Sequence, residues 1–269
     1  ISRERAVKAI HSVVGGTIRH TGGGYDEWTV IAPDGRHWKA VSDGSLGSRS
    51  TSAEVVTPIL KWDDMDTLQA VVRELRKAGA KTPECTSQHV HIGVGDFNAR
   101  QIANFARIFY KQEELLLKAV GTLESRLRHY TQRTERGFIA RLEKAKPTTR
   151  EELNEAWFGY SNPNPAHYDH ARYRAINLNN VWRTGTVEVR AFNGTTHAGE
   201  VKSHIVLCHI VLCLAIAALA KNAKCASTKN QRPFCAESAK YDMRVFLLRL
   251  GLIGEEFKNV RMPLGTAWK

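Results

Sequence analysis

The segment Thr186-Val187-Glu188-Val189-Arg190-Ala191-Phe192 alternates without a break between apolar and polar side chains up to its last residue. Successive strand residues point to opposite faces, so Val187, Val189 and Ala191 share one face while Thr186, Glu188, Arg190 and Phe192 share the other. The apolar face requires a covering layer of helices. The polar face then presents a carboxylate and a guanidinium side by side, suited to a hard cation and a phosphate respectively. The competing reading is an ion pair on a solvated sheet surface.

The same alternation recurs in Gln88-His89-Val90-His91-Ile92-Gly93, where His89 and His91 project together and Val90 and Ile92 pack behind. Two histidines on one strand face suit a metal or a phosphate, and equally a structural pair. Ala53-Glu54-Val55-Val56-Thr57-Pro58 puts a single carboxylate on a β-branched run closed by proline, as at a sheet edge. In Trp38-Lys39-Ala40-Val41-Ser42-Asp43-Gly44-Ser45 a strand runs into a polar turn. There Asp43 can accept a proton and Lys39 can meet an oxyanion, against the plainer reading of an Asp-Gly turn.

Around these strands the periodicity is helical. Ser2 caps a helix with Ala6, Val7, Ile10 and Val14 on one face, stopped by Gly15-Gly16. Glu27 to Ala32 and Arg36 to Ser42 flank Pro33-Asp34-Gly35 as a hairpin, and Ser52 to Leu60 is a third extended segment. Helices are expected at Asp63 to Ala78, Asn98 to Val120, Gly137 to Ala145, Thr149 to Ala156 and Ala239 to Leu250, with further strands at Arg174 to Val181 and Thr186 to Phe192. Residues 160–170, with two prolines and two asparagines, read as a loop of the kind that covers a site. The expected fold is α+β, a curved, mainly antiparallel sheet with a polar concave face and helices on the other side, in a single domain over residues 1–269.

Composition bounds the partners. The 269 residues are 42% hydrophobic and 25% charged, which excludes a disordered chain. The formal net charge of +12 favours an acidic or phosphate-rich partner, but no arginine-rich tail or basic-aromatic signature marks a nucleic-acid binder. The dense basic stretch Arg126 to Arg150 reads as a solvated surface. Five cysteines, odd in number and widely spaced, point to a reducing compartment, and hence to a cytoplasmic protein. The run Ile205 to Ala220 falls short of a membrane span and reads as a buried helix, so His204, Cys208, His209 and Cys213 on it read as packing rather than zinc ligation. His167, Asp169 and His170 in the loop receive no role.

The order of these pieces is more specific than any one of them. Trp-x4-Asp-Gly-Ser, Glu-Val-Val-Thr-Pro-Ile-Leu, His-Val-His-Ile-Gly and Glu-Val-Arg-x-Phe-Asn-Gly-Thr, from Trp38 to Thr195, resemble the amidoligase branch of the glutamine synthetase-like carboxylate-amine ligases. The resemblance implies an ATP- and Mg²⁺-dependent enzyme that forms an amide or isopeptide bond through an acyl phosphate. It implies that Glu54, His89 and Glu188 bind metal, that Arg190 meets the transferring phosphate, and that Asp43 binds or deprotonates the amine. Lys39 and His91 would contact nucleotide, and Ser45 and Arg172 substrate. Members of the family open with a strand bearing Glu-x-Glu; none stands before Trp38, so either the sequence begins after that strand or the member has lost it. Two rival readings are a non-catalytic member that binds an acidic partner and a basic nucleic-acid-binding protein.

Overall fold

A computed structural model describes residues 1–220 and 230–255, the side chains of 214–220 excepted. The chain divides into two compact units: residues 1–87 with 194–202, and residues 88–193 with those from 203 onward.

The first unit is a four-stranded meander beneath two helices. Helix α1 (Arg3–Val14) starts where the Ser2 hydroxyl accepts from the Arg5 N–H at 3.3 Å. Strands β1 (Thr17–Gly22), β2 (Glu27–Ile31), β3 (His37–Val41) and β4 (Glu54–Val56) follow in spatial order, each antiparallel to the next. Helix α2 (Met65–Lys77) closes the unit's first run of elements. Ala6, Val7 and Ile10 from α1, Val30 from β2 and Trp38 and Ala40 from β3 are buried, as are Met65, Leu68 and Val71 from α2. Gly16, at φ +90°, cannot be replaced without strain, because an added Cβ would lie 2.0 Å from the Ile31 carbonyl oxygen.

The second unit is a three-stranded sheet against helices. Its elements are β5 (Ser87–Gly93, entering from the first unit at Ser87), α3 (Ala99–Ala119), α4 (Glu124–Arg128), α5 (Arg136–Ala145), α6 (Arg150–Phe158), β6 (Ile176–Asn177), α7 (Asn179–Arg183), β7 (Thr186–Asn193), α8 (Ala198–Ala220, in this unit from Ser203) and α9 (Ala239–Arg249). β7 is central, in the order β5-β7-β6, and pairs antiparallel with β6 through Ile176↔Val189 and Asn177↔Glu188. The faces divide as the alternation requires. Val187, Val189 and Ala191 are buried with Val90, Ile176 and the apolar side chains of α3, α5, α6, α8 and α9 in one cluster. Each large aliphatic side chain in it contributes about 1.5–3 kcal/mol by leaving water. Phe192 departs from the pattern: it joins this core and stacks on His204 of α8, ring centroids 4.1 Å apart.

Helix and antiparallel sheet together make the chain α+β, with its strands in two hydrogen-bonded sheets. Two local expectations are corrected. The strand over Arg174 to Val181 shrinks to Ile176–Asn177, because the Asn177 side-chain oxygen accepts from the Asn179 N–H at 2.8 Å and turns the chain into α7. Only Glu54–Val56 of the Ser52 to Leu60 segment pairs, before Pro58, which has no N–H to offer a ladder. β1 and α4 carry no periodicity strong enough to announce them. Among the described residues no helix is long and apolar enough to cross a membrane.

Candidate functional site

The polar face of the second unit's sheet gathers around one carboxylate. Glu188, 1% exposed, receives three side chains on its two oxygens. Arg190 Nη1 donates to Oε1 at 2.7 Å, and the amides of Asn177 and Asn180 donate to Oε2 at 2.6 and 3.2 Å. From β5, His89 Nδ1 lies 3.2 Å and His91 Nε2 3.6 Å from Oε1. His91 also meets the Thr186 hydroxyl through Nδ1 at 3.3 Å. Strand alternation and the Asn177↔Glu188 register put the strand residues together, and α7 adds Asn180.

A second layer fixes Arg190. Its Nε donates to the Tyr130 carbonyl at 3.2 Å, and its own carbonyl accepts from Arg126 Nη2 at 2.8 Å and from the Thr131 hydroxyl at 3.2 Å. Arg126 is buried and its partners are carbonyls, an amide oxygen and a hydroxyl, with no carboxylate among them. Burial, then the neighbouring Arg190 charge, pulls its guanidinium down to about 10.

The electrostatics follow from this crowding. Burial, then Arg190, pushes His89 down to about 3, and burial lowers His91 as well, so both imidazoles are neutral at pH 7. Burial alone would raise Glu188; the Arg190 charge, aided by the two histidines, reverses this and holds its carboxyl below the usual range. An ionised carboxylate beside two imidazoles, each with one unprotonated ring nitrogen, is chemistry that a divalent cation accepts. As the side chains stand, the Glu188 oxygens are taken by Arg190, Asn177 and Asn180. Among the described residues no group of three or more His, Cys, Asp or Glu is placed to hold a metal ion.

A family model described as "Putative amidoligase enzyme" matches residues 1–212. The chain belongs to the amidoligase family. Searches of curated proteins and of solved structures return no match.

Four of the residues singled out for amidoligase chemistry lie in the first unit. Lys39 pairs with Glu27 across β2 and β3, its ammonium 3.0 Å from a carboxylate oxygen. Asp43 caps a one-turn 3-10 helix, accepting from the Ser45 N–H at 2.7 Å and from the Ser45 hydroxyl. Asp43 and Ser45 are thus joined in the plain Asp-Gly turn weighed above. Glu54 opens β4 opposite Val41 and is half-buried.

In the second unit, Arg172 ends a 3-10 turn in the loop after α6. Its Nη1 donates to the His167 carbonyl at 2.7 Å, and its guanidinium carbon stands 5.7 Å from the Tyr168 and Tyr173 ring centres. Arg183 of α7 donates to the Pro165 carbonyl at 3.0 Å in the same loop. Buried Asn154 anchors the loop's start through a pair of hydrogen bonds with the Asn162 backbone, 2.7 and 2.8 Å. The charge of Arg172 reaches His91 on the polar face, and that of Glu188 reaches His167 in the loop, so loop and face share one electrostatic environment.

On α8, His204 and Cys208 are buried while His209 and Cys213 are exposed, and His204 binds the Gln88 side-chain oxygen at 2.8 Å. Sequence reasoning missed Asn177, Asn180, Arg126 and Thr131. The strand register gives a signal for Asn177, which falls opposite Glu188. Arg126 gave none, since it sits in a basic stretch that reads as surface and only tertiary packing buries it.

Proposed function

We propose that this amidoligase-family chain is an ATP-dependent carboxylate-amine ligase of glutamine synthetase-like architecture, working through an acyl phosphate, with the groups that meet the transferring phosphate on the polar face of the β5-β7-β6 sheet. The observation that carries the reading is the grouping of Glu188, Arg190, His89 and His91 on that face, in a chain whose family is amidoligases. A carboxylate is a poor acyl donor at neutral pH. In the first step a substrate carboxylate oxygen attacks the γ-phosphorus of ATP and ADP leaves; in the second an amine nitrogen attacks the acyl carbon and phosphate leaves, the nitrogen losing its proton to a base.

Arg190 suits the first step because its guanidinium is immobilised by Glu188 and the Tyr130 carbonyl, so little reorganisation is needed to meet a developing charge on phosphate. His91, the more exposed imidazole, is a proposed contact to nucleotide, and Asp43 the proposed acceptor of the amine proton. Mg²⁺, when bound, would offset the repulsion between phosphate and carboxylate, and on this face His89 and Glu188 are the residues proposed to hold it. Lys39 is also a proposed contact to nucleotide, and Arg172 and Ser45 are those to substrate. The proposed enzyme is cytoplasmic, as its odd and widely spaced cysteines suggest, and takes small-molecule or peptide substrates.

A second reading has a specific observation in its favour. Glu188 is already satisfied by Arg190 and two asparagines, as in a binding module that keeps the fold without the chemistry. Thermal unfolding with MgATP separates them: the ligase reading expects a rise in Tm on nucleotide with Mg²⁺, lost in Glu188→Ala. No rise at millimolar MgATP would remove it.

A further inference from the structure

Glu113 on α3 is fully buried and has no part in the reading above. Its Oε1 accepts from the Thr134 N–H at 2.8 Å and from the Thr134 hydroxyl at 2.7 Å, and its Oε2 accepts from Gln231 Nε2 at 3.0 Å. Three neutral donors bind it, while the neighbouring cations Arg133 and Arg232 pair with other carboxylates, Glu114 and Asp242. Thr134 ends a short segment whose other end grips the site: the Tyr130 carbonyl accepts from Arg190 Nε, and the Thr131 hydroxyl donates to the Arg190 carbonyl while accepting from Arg126.

We propose that Glu113 is a positioning residue for Arg190, holding the Tyr130–Thr134 segment in place through Thr134. The proposal rests on the reading of Arg190 as the group that meets the transferring phosphate. Burying a carboxyl while releasing its proton is costly, and Glu113 is accordingly pushed up to about 7, burial outweighing the Thr134 hydrogen bonds. The charged groups that face it are Glu114 from its own helix, which adds to the rise, and Arg133 from the segment, which opposes it. An opened segment would return Glu113 to water and an ordinary carboxyl range. Linkage then makes opening more favourable as pH rises, by about tenfold per pH unit between pH 5 and 7, levelling above.

Glu113→Gln tests this cleanly. Its amide oxygen still accepts from Thr134, its amide nitrogen meets a flipped Gln231 amide, and no proton can leave. The experiment records ¹H–¹⁵N spectra of the wild-type chain, Glu113→Gln and Glu113→Ala from pH 5 to 8, following the Thr134 amide and the Arg190 Nε–H. ADP release from MgATP is measured in parallel. The expected result is that both signals, and the opening rate of the Thr134 amide, follow pH in the wild type, are pH-independent in Glu113→Gln and are displaced at every pH in Glu113→Ala. The value of kcat should follow the Arg190 signal while KM for MgATP stays put. An Arg190 signal with the same pH response in wild type and Glu113→Gln overturns the proposal, even if Glu113→Ala does not fold. The expected spectra with no ADP release by any form would instead remove the ligase reading and leave the Glu113 hold on Arg190 standing.

Discussion

The two units handle charge in opposite ways. In the first, cations meet carboxylates directly: Arg36 binds Asp64 with two nitrogens at 2.8 Å each and Asp34 at 2.7 Å, Lys39 binds Glu27, and even the buried Arg3 is paired, with Asp26. These pairs lower the acids, Asp64 to about 2 through Arg36, and they staple turns and hairpins. In the second unit the buried charges are mismatched. Glu188 faces Arg190 with Arg126 behind it, Arg126 is met only by neutral oxygens, and the donors on Glu113 among the described residues are neutral. A matched pair is a local fastening; a mismatched buried set persists only where neighbours over-determine it, which is the condition expected of a site.

Substitutions in the two units test this contrast, beginning with the largest effect. Glu188→Ala or Arg190→Ala should lower ADP release from MgATP by at least about a thousandfold, the scale of losing a preorganised group at a transferring phosphoryl. Glu188→Gln, which keeps the shape, should lose turnover with the fold retained, checked by circular dichroism. Unchanged turnover in both alanine variants would place the chemistry elsewhere.

Next is Glu113. Its carboxyl is raised in the folded state, so its favourable contribution is complete below about pH 4.5 and is lost as pH rises to about 7. Denaturant unfolding at pH 5 and pH 8 should show the wild type losing on the order of 3 kcal/mol relative to Glu113→Gln over that interval. An equal pH dependence in the two chains would mean that Glu113 ionises as freely as in water.

Arg126→Met should cost about 2 kcal/mol, because it removes the guanidinium donor from the Phe192 carbonyl and leaves the Arg190 carbonyl to the Thr131 hydroxyl. The smallest effect belongs to the first unit. Arg36→Ala should cost about 1 kcal/mol or less, its side chain being 35% exposed, and should leave turnover unchanged. A larger loss for Arg36 than for Arg126 would reverse the comparison.

The sequence by itself determined the elements that depend on neighbours in the chain. The capped helices at Ser2, Asn98 and Thr149 and the Pro33-Asp34-Gly35 hairpin are set by interactions a few residues long. The strict alternation of residues 186–191 fixed which face of β7 is apolar, and so which residues of the strand stand together. The His89/His91 and Glu188/Arg190 pairs were legible for that reason, and the motif order pointed to the family.

The tertiary structure alone decided what those residues touch. Asn177 became a partner of Glu188 through the β6-β7 register and Asn180 through the turn into α7, which the same Asn177 makes by ending the expected strand. Arg126 and Glu113 look in the sequence like any charged residue on a helix. They are buried because a chain turning back at Tyr130–Thr134 covers them, and whether a charge meets water or a carbonyl is set by contacts between residues far apart, which local periodicity does not encode.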